Sequence, residues 1–409
     1  LKTEIASQTT DRRLIAIFLI VFIDVLGLTI ILPLLPFYAE HFGAKPLMVG
    51  ALVSVYSICQ FISGPILGHW SDRIGRKPIL VVSQIGTCIG FLVLASAHSL
   101  AIIFLSRIID GLTAGNLSTA QAYISDVAAP QDRAKQLGRI GIAFAVGFFV
   151  GPALTAFLYG FGYQAPILAA ASLSALSVLA STVLLPRETR PIHASPAAGT
   201  AKTSLLSVAL SYFKNPNLAR LFAEIFLFYF SFSIYVAGFA LFAERRFSVH
   251  GVALNAKQVG YAFAYFGFLG IVVQGFLIGK VVKRFGERQV VRLGFVSSFL
   301  GYSLLAVIVQ PVWLACSGLF TSFGGGVLRP VLLSEITGEV NPKERGRAIG
   351  VTQSIQSVAQ IVGPLLGTAL IGSAHLVVWA LLPALLNALG FFLVAQRIKR
   401  AGAIPLGSV

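Results

Sequence analysis

The stretch GHWSDRIGRKPIL, Gly68 to Leu80, holds four charged residues among the six from Asp72 to Lys77, in a 409-residue chain that is only 11% charged. Long apolar runs flank it on both sides. Outward from it the pattern repeats as twelve hydrophobic segments, near 14–36, 48–70, 78–97, 101–122, 138–160, 164–185, 218–243, 257–279, 289–309, 311–334, 348–371 and 376–396. Each is about the twenty residues that a helix needs to cross roughly 30 Å of hydrocarbon. The chain is 56% hydrophobic with a mean hydropathy of +0.85, more apolar surface than a soluble core of this length can bury. The reading is an all-α integral membrane protein with twelve transmembrane helices, in contact with lipid on its outside.

The net charge of +16 is sorted by side of the membrane, which argues against a nucleic-acid partner. Of the 31 Lys and Arg, 25 lie at the termini or in the connections 71–77, 127–139, 186–217, 280–288 and 341–347, with their flanking helix ends. The opposite side carries Lys45, Arg245, Arg246 and Lys257, while Arg107 and Arg329 fall inside segments. The positive-inside rule then places both termini in the cytoplasm. The first segment lacks a small-residue cleavage pattern and reads as a retained helix. Cys59, Cys88 and Cys316 have no metal-site or disulfide spacing and the six histidines are scattered. No metal, cofactor or enzymatic nucleophile is expected.

The chain also repeats itself. RAKQLGRIGIAFAVGFFVGPALTAFLYG, Arg133 to Gly160, aligns without gaps on RGRAIGVTQSIQSVAQIVGPLLGTALIG, Arg345 to Gly372, at one offset of 212 positions. That offset pairs Gly151 with Gly363 and Pro152 with Pro364. The opening stretch has a counterpart in GKVVKRFGERQVV, from Gly279, at an offset of 211. The expected organisation is an N-terminal six-helix bundle over 1–185, a Pro-containing cytoplasmic linker over 186–217 and a C-terminal six-helix bundle over 218–409. Two same-orientation repeats suit a transporter whose halves rock around a central site.

Four motifs now carry a family resemblance over almost the whole chain. Gly68-x-x-x-Asp72-Arg73-x-Gly75-Arg76-Lys77 resembles the signature loop between spans 2 and 3 of the major facilitator superfamily. Arg107-x-x-Asp110-Gly111 is similar to its span 4 motif, and Gly147-x-x-x-Gly151-Pro152 to the span 5 motif of its proton-coupled exporters. FIDVLGLTIILPLLPF, Phe22 to Phe37, resembles the first span of the tetracycline-efflux branch. The resemblance implies the major facilitator fold, a drug:proton antiporter of the multidrug-efflux and antibiotic-resistance kind, and a bacterial inner membrane. The resemblance also implies that this loop latches the outward-facing state. Here Asp72, Gly75, Arg76 and Lys77, with Gly68 and Asp126, form the expected latch: the two glycines turn the backbone, and Arg76 reaches Asp126 at the end of span 4. The plainer reading is a solvated loop whose cations only enforce topology.

Asp24 is the sharpest candidate for chemistry. It lies about ten residues into span 1, near the bilayer midplane, where an Asp costs roughly 2.5–3.5 kcal/mol to insert. It either takes and releases a proton as access alternates or makes a satisfied interhelical hydrogen bond. Arg107 and Asp110, at i and i+3, pair on one face; Arg107 then modulates Asp24, or the pair only orders helices. Gly147, Gly151 and Pro152 leave room for close helix contact and a bend. Glu224 reads as the partner of Arg220 one turn earlier. Glu335 reads as the second half's counterpart of Asp126, with Arg329 as its partner or as a snorkelling side chain.

Lining of a substrate cavity is expected from Glu224, Tyr229, Tyr235, Tyr261, Tyr265 and Gln274, and from Gln353 and Gln356, which share a face with Gln360. The glutamines are equally suited to gating contacts. Three positions depart from the tetracycline exporters: Gly90 stands where they carry an acid, no histidine accompanies Gln274, and Thr155-Ala156 replaces a glycine pair. These favour a less specific drug exporter, or an exporter of an endogenous metabolite. The expected activity is proton-driven export of small amphipathic organic compounds, by a monomer. The alternatives are a facilitator or importer of a sugar or organic acid, and, remotely, a receptor or scaffold built on a transporter fold.

Overall fold

Without water inside the bilayer, each backbone N–H and C=O must be satisfied within its own segment, so apolar runs of this length fold as helices. The computed structural model describes residues 2–129, 132–186, 211–341 and 344–402. Twelve helices in it are long and apolar enough to span: Arg13–His41, Pro46–Ile74, Arg76–Ala95, Leu100–Val127, Gln136–Phe161, Gln164–Leu184, Pro216–Arg246, Ala256–Phe285, Glu287–Val307, Pro311–Glu339, Arg345–Gly372 and Leu376–Ile398. They are called spans 1 to 12. Residues 187–210 of the expected linker, with Pro191 and Pro196, lie outside the described residues. Pro216 is not a linker residue but the first residue of span 7, where its missing N–H is harmless, and Asn215 caps the helix by accepting from the Asn217 N–H at 3.0 Å.

The packing divides the chain into two units, one of Leu1–Thr200 with Asn255–Phe268, the other of Ala201–Leu254 with Leu269–Val409. In the first, span 1 packs on spans 5 and 6, and span 3 on spans 4 and 6. In the second, span 7 packs on spans 11 and 12, and span 9 on spans 10 and 12. The partner scheme is the same, as the sequence repeat requires. Ile17, Ile20, Ile124 and Ala143 fill the first core; Phe222, Ile225, Phe295 and Val327 fill the second. Large apolar side chains such as Phe157 and Phe276 stand exposed, as lipid-facing residues do.

The opening stretch is tighter than a loop. Span 2 runs helical to Ile74 and span 3 begins at Arg76, leaving only Gly75 between them. Gly75 has φ +109°, and its counterpart Gly286, between spans 8 and 9, has φ +78°. Both conformations favour glycine over any residue with a Cβ. Gly68 corrects an expectation: it lies inside span 2, and a Cβ there would meet nothing within 4 Å. Turn and helix glycine therefore separate by experiment. Gly75→Ala should lower the stability of the purified protein by about 1–3 kcal/mol. Gly68→Ala should leave it unchanged or raise it by up to about 1 kcal/mol. Thermal melting in detergent reads both.

Candidate functional site

Span 4 breaks at Thr113–Gly115, between Leu100–Leu112 and Asn116–Val127. Thr113 Oγ1 donates back to the Ile109 carbonyl at 2.8 Å, and the break starts a new helix at Asn116. Irregular backbone at membrane depth is tolerated only inside protein, and here it serves Asp24. The Asp24 carboxylate hydrogen-bonds Asn116, Ser177 of span 6 and Gln84 of span 3. Gln84, fully buried, donates from Nε2 to Asp24 Oδ2 at 3.3 Å and to Ser177 Oγ at 2.6 Å. Its backbone carbonyl accepts from Ser174 at 3.1 Å. Four spans thus meet at one carboxylate. Gln84 Oε1 and Asn116 Oδ1 are left without hydrogen-bond partners, so acceptor capacity is spare in the side chains that surround Asp24.

Span 5 packs closely against span 1 beside Asp24. A Cβ on Gly147 would stand 2.5 Å from Val25 Cγ1, and one on Gly151 2.1 Å from Thr29 Oγ1. The vacated space is used for hydrogen bonds: Thr29 donates to the Gly147 carbonyl at 2.9 Å, and Thr155 donates to the Ile30 carbonyl at 2.6 Å. Thr155, one of the two residues in place of a glycine pair, therefore ties span 5 to span 1. In the same unit Gly260 and Gly267 of span 8 lie against Pro152 and Phe148.

Arg107 and Asp110 form a buried ion pair at 3.3 Å, with both side chains 4% exposed. Thr87 adds a hydrogen bond to Asp110, and the Arg107 guanidinium lies 5.8 Å from the Phe91 ring centroid. A Cβ on Gly90 would be 3.0 Å from Asp110 Cβ. Asp110 occupies the space that an acid at position 90 would need, and this accounts for the glycine. Asp110 is also near enough to Asp24 to act on it through space.

At the connection between spans 2 and 3, Arg76 Nε bonds Asp126 Oδ2 at 2.8 Å, and its Nη1 lies 2.5 Å from Asp72 and 2.6 Å from Ser71 Oγ. Lys77 donates to the carbonyls of Thr182, at 2.8 Å, and Leu185. The ends of spans 2, 3, 4 and 6 are tied by two adjacent cations.

In the second unit the expected pairs are exchanged. Glu224 bonds Arg397 of span 12 at 3.0 Å, not Arg220. Glu335 lies 2.5 Å from the same Arg397 and is not paired with Arg329. Six helical residues separate Arg329 from Glu335, which turns them well away from each other. Arg329 instead bonds the Tyr229 hydroxyl. Arg397 was missed because it sits among topology-setting cations. Its signal was helical spacing: Asn387 and Val394 are fully buried and Arg397 is 9% exposed, one stripe at i, i+7 and i+10.

Tyr229 and Tyr235 are packed in the second unit's core, the latter beside Tyr302 and Trp379. Tyr261, exposed, and Tyr265, half-buried, belong to the first unit. The four phenols form no single wall within either unit. Gln274 is exposed on a π-helical turn, Val273–Leu277, that shifts the side-chain register of span 8. Gln353 is exposed and Gln356 half-buried on span 11.

A model of the Major Facilitator Superfamily matches residues 17–275 and 248–406. The class E tetracycline resistance protein of Escherichia coli is 31% identical over 360 residues, 87% of each chain. Multidrug resistance protein 2 of Bacillus subtilis (strain 168) is 25% identical, over 87% of this chain and 88% of that one. The crystal structure of the human organic anion transporter MFSD10 (TETRAN) superposes with a TM-score of 0.70 at 25% identity, covering 94% of this chain and 99% of that one.

The geometry of the connection predicts a measurable coupling. In a double-mutant cycle of Arg76→Ala and Asp126→Ala, thermal stability should show an interaction of about 1 kcal/mol, since each removes the same partly exposed pair. Strict additivity would place the two residues in separate roles.

Proposed function

We propose, on the premise that the chain belongs to the Major Facilitator Superfamily, that it is a proton-driven exporter of small amphipathic organic compounds. The family makes it a multi-pass membrane transporter, with relatives named for drug resistance; the proton, the direction and the substrate class are the proposal. The two six-helix halves, joined by the segment between spans 6 and 7, rock as a monomer to expose a central site to each side in turn. Both termini face the cytoplasm of a bacterial inner membrane, as the distribution of Lys and Arg favours.

The observation that carries the reading is Asp24, a carboxylate on span 1 held by three uncharged polar side chains. Gln84 suits either of its protonation states. Its amide N–H donates to the ionised carboxylate, and turning the amide presents Oε1 to a carboxylic O–H. A proton can then arrive or leave without leaving a strained network behind. Arg107 and Asp110 neutralise each other and supply a fixed field beside it. The ties from Arg76 and Lys77 hold the cytoplasmic ends of the first unit together while the opposite side opens. Asp72, with side-chain exposure of 45%, is the latch residue with capacity for a further partner.

Proteoliposomes carrying a pH gradient test this with ethidium, tetraphenylphosphonium, tetracycline and bromosulfophthalein as probes. Addition of at least one should dissipate the gradient in the native protein, and Asp24→Asn should fall to the level of empty liposomes. Movement of a probe without proton movement, unchanged in Asp24→Asn, would overturn the coupling.

A further inference from the structure

The second unit holds a buried charge cluster that the reading above does not use. Arg397 of span 12 donates from Nη2 to Glu224 Oε2 of span 7 at 3.0 Å, and its Nη1 lies 2.5 Å from Glu335 Oε2 of span 10. Glu224 is fully buried, and the side chains of Arg397 and Glu335 are 10% and 8% exposed. Two carboxylates share one guanidinium. Glu224 Oε1 has no hydrogen-bond partner, and Glu335 Oε2 has none either but keeps its ion pair with Arg397.

Other charges stand close without completing the balance. Arg220, one turn before Glu224 on span 7, acts on it through space. Glu287 and Arg288, at the start of span 9, act in the same way on Glu335, and Glu287 is bonded to Ser334 of span 10 at 2.8 Å. Glu344, at the N-cap of span 11, and Arg347 of that span act through space on Tyr212. Among the described residues, Arg397 alone forms an ion pair with either carboxylate. With both ionised, the bonded cluster carries one uncompensated negative charge away from water, which is unfavourable. A partnerless hydroxyl costs less.

We propose that Glu224 is a proton-binding site in the C-terminal bundle, separate from Asp24. The proton enters on Glu224 Oε1, the Glu224–Arg397–Glu335 cluster becomes neutral, and Arg397 remains the ion-pair partner of Glu335. When the proton leaves, the guanidinium is shared again. The site needs no substrate to fill, so it stands or falls independently of coupling at Asp24.

Infrared difference titration of the purified full chain, from alkaline to mildly acidic pH with no substrate or gradient, reads this directly. The native protein should gain a carboxylic-acid carbonyl band that Glu224→Gln loses and Asp24→Asn keeps. Glu335→Gln should lose it too, because one carboxylate and one guanidinium balance without a proton. That second variant decides the matter if Glu224→Gln fails to fold. A native spectrum identical to that of Glu224→Gln, a band abolished only by Asp24→Asn, or a band undiminished in Glu335→Gln would overturn the proposal.

Discussion

A carboxylate inside hydrocarbon has no water to turn to, and the first unit is arranged around that constraint. Asp24 draws in Gln84, Ser177 and Asn116 from three other spans, and the break in span 4 exists where Asn116 is delivered. Span 5 comes close to span 1 beside the group only because Gly147 and Gly151 lack side chains against Val25 and Thr29. Thr29 and Thr155 then satisfy the backbone carbonyls exposed by that approach. Packing and polar satisfaction are one requirement here. A side chain on either glycine would separate span 1 from span 5 and disturb both.

The two units share this geometry and differ in charge. Span 11 approaches span 7 as span 5 approaches span 1, with Gly363 against Ser233 where Gly151 meets Thr29. Counting back the same five residues puts Phe228 in the place of Asp24. The tight connection is repeated through Gly75 and Gly286, yet the residue after it is Arg76 in one unit and Glu287 in the other. With an acid there, Glu335 on span 10 takes its ion pair from Arg397 of span 12, and Arg288 of the connection acts on it only through space. Duplication preserved the close contacts, which are steric, while the ion pairs were redistributed.

That difference also explains what was legible in the sequence. Twelve spans, the repeat and the pairs Arg76–Asp126 and Arg107–Asp110 followed from hydropathy, spacing and the loop signature, because each depends on local geometry or on neighbouring spans. Gly68 was read as a turn residue since glycine signals a turn in a loop motif, but helix 2 runs through it to Ile74. Glu224 and Glu335 were given partners on their own helices, where periodicity is visible. Their real partner lies 173 residues from Glu224, a distance over which only tertiary packing decides. The polar tips of Tyr229 and Tyr235 suggest a cavity wall, yet both side chains lie inside the core, where Arg329 meets the Tyr229 hydroxyl.

Substrate counterflow by Asp24→Asn tests the account's central claim most directly, using a compound that the native protein accumulates against a gradient. Exchange of labelled for unlabelled compound requires binding and alternation but no net proton movement. The account predicts that exchange persists in Asp24→Asn while proton-driven accumulation is lost. Accumulation undiminished in the variant, or loss of exchange together with accumulation in a folded protein, would contradict a coupling role for Asp24.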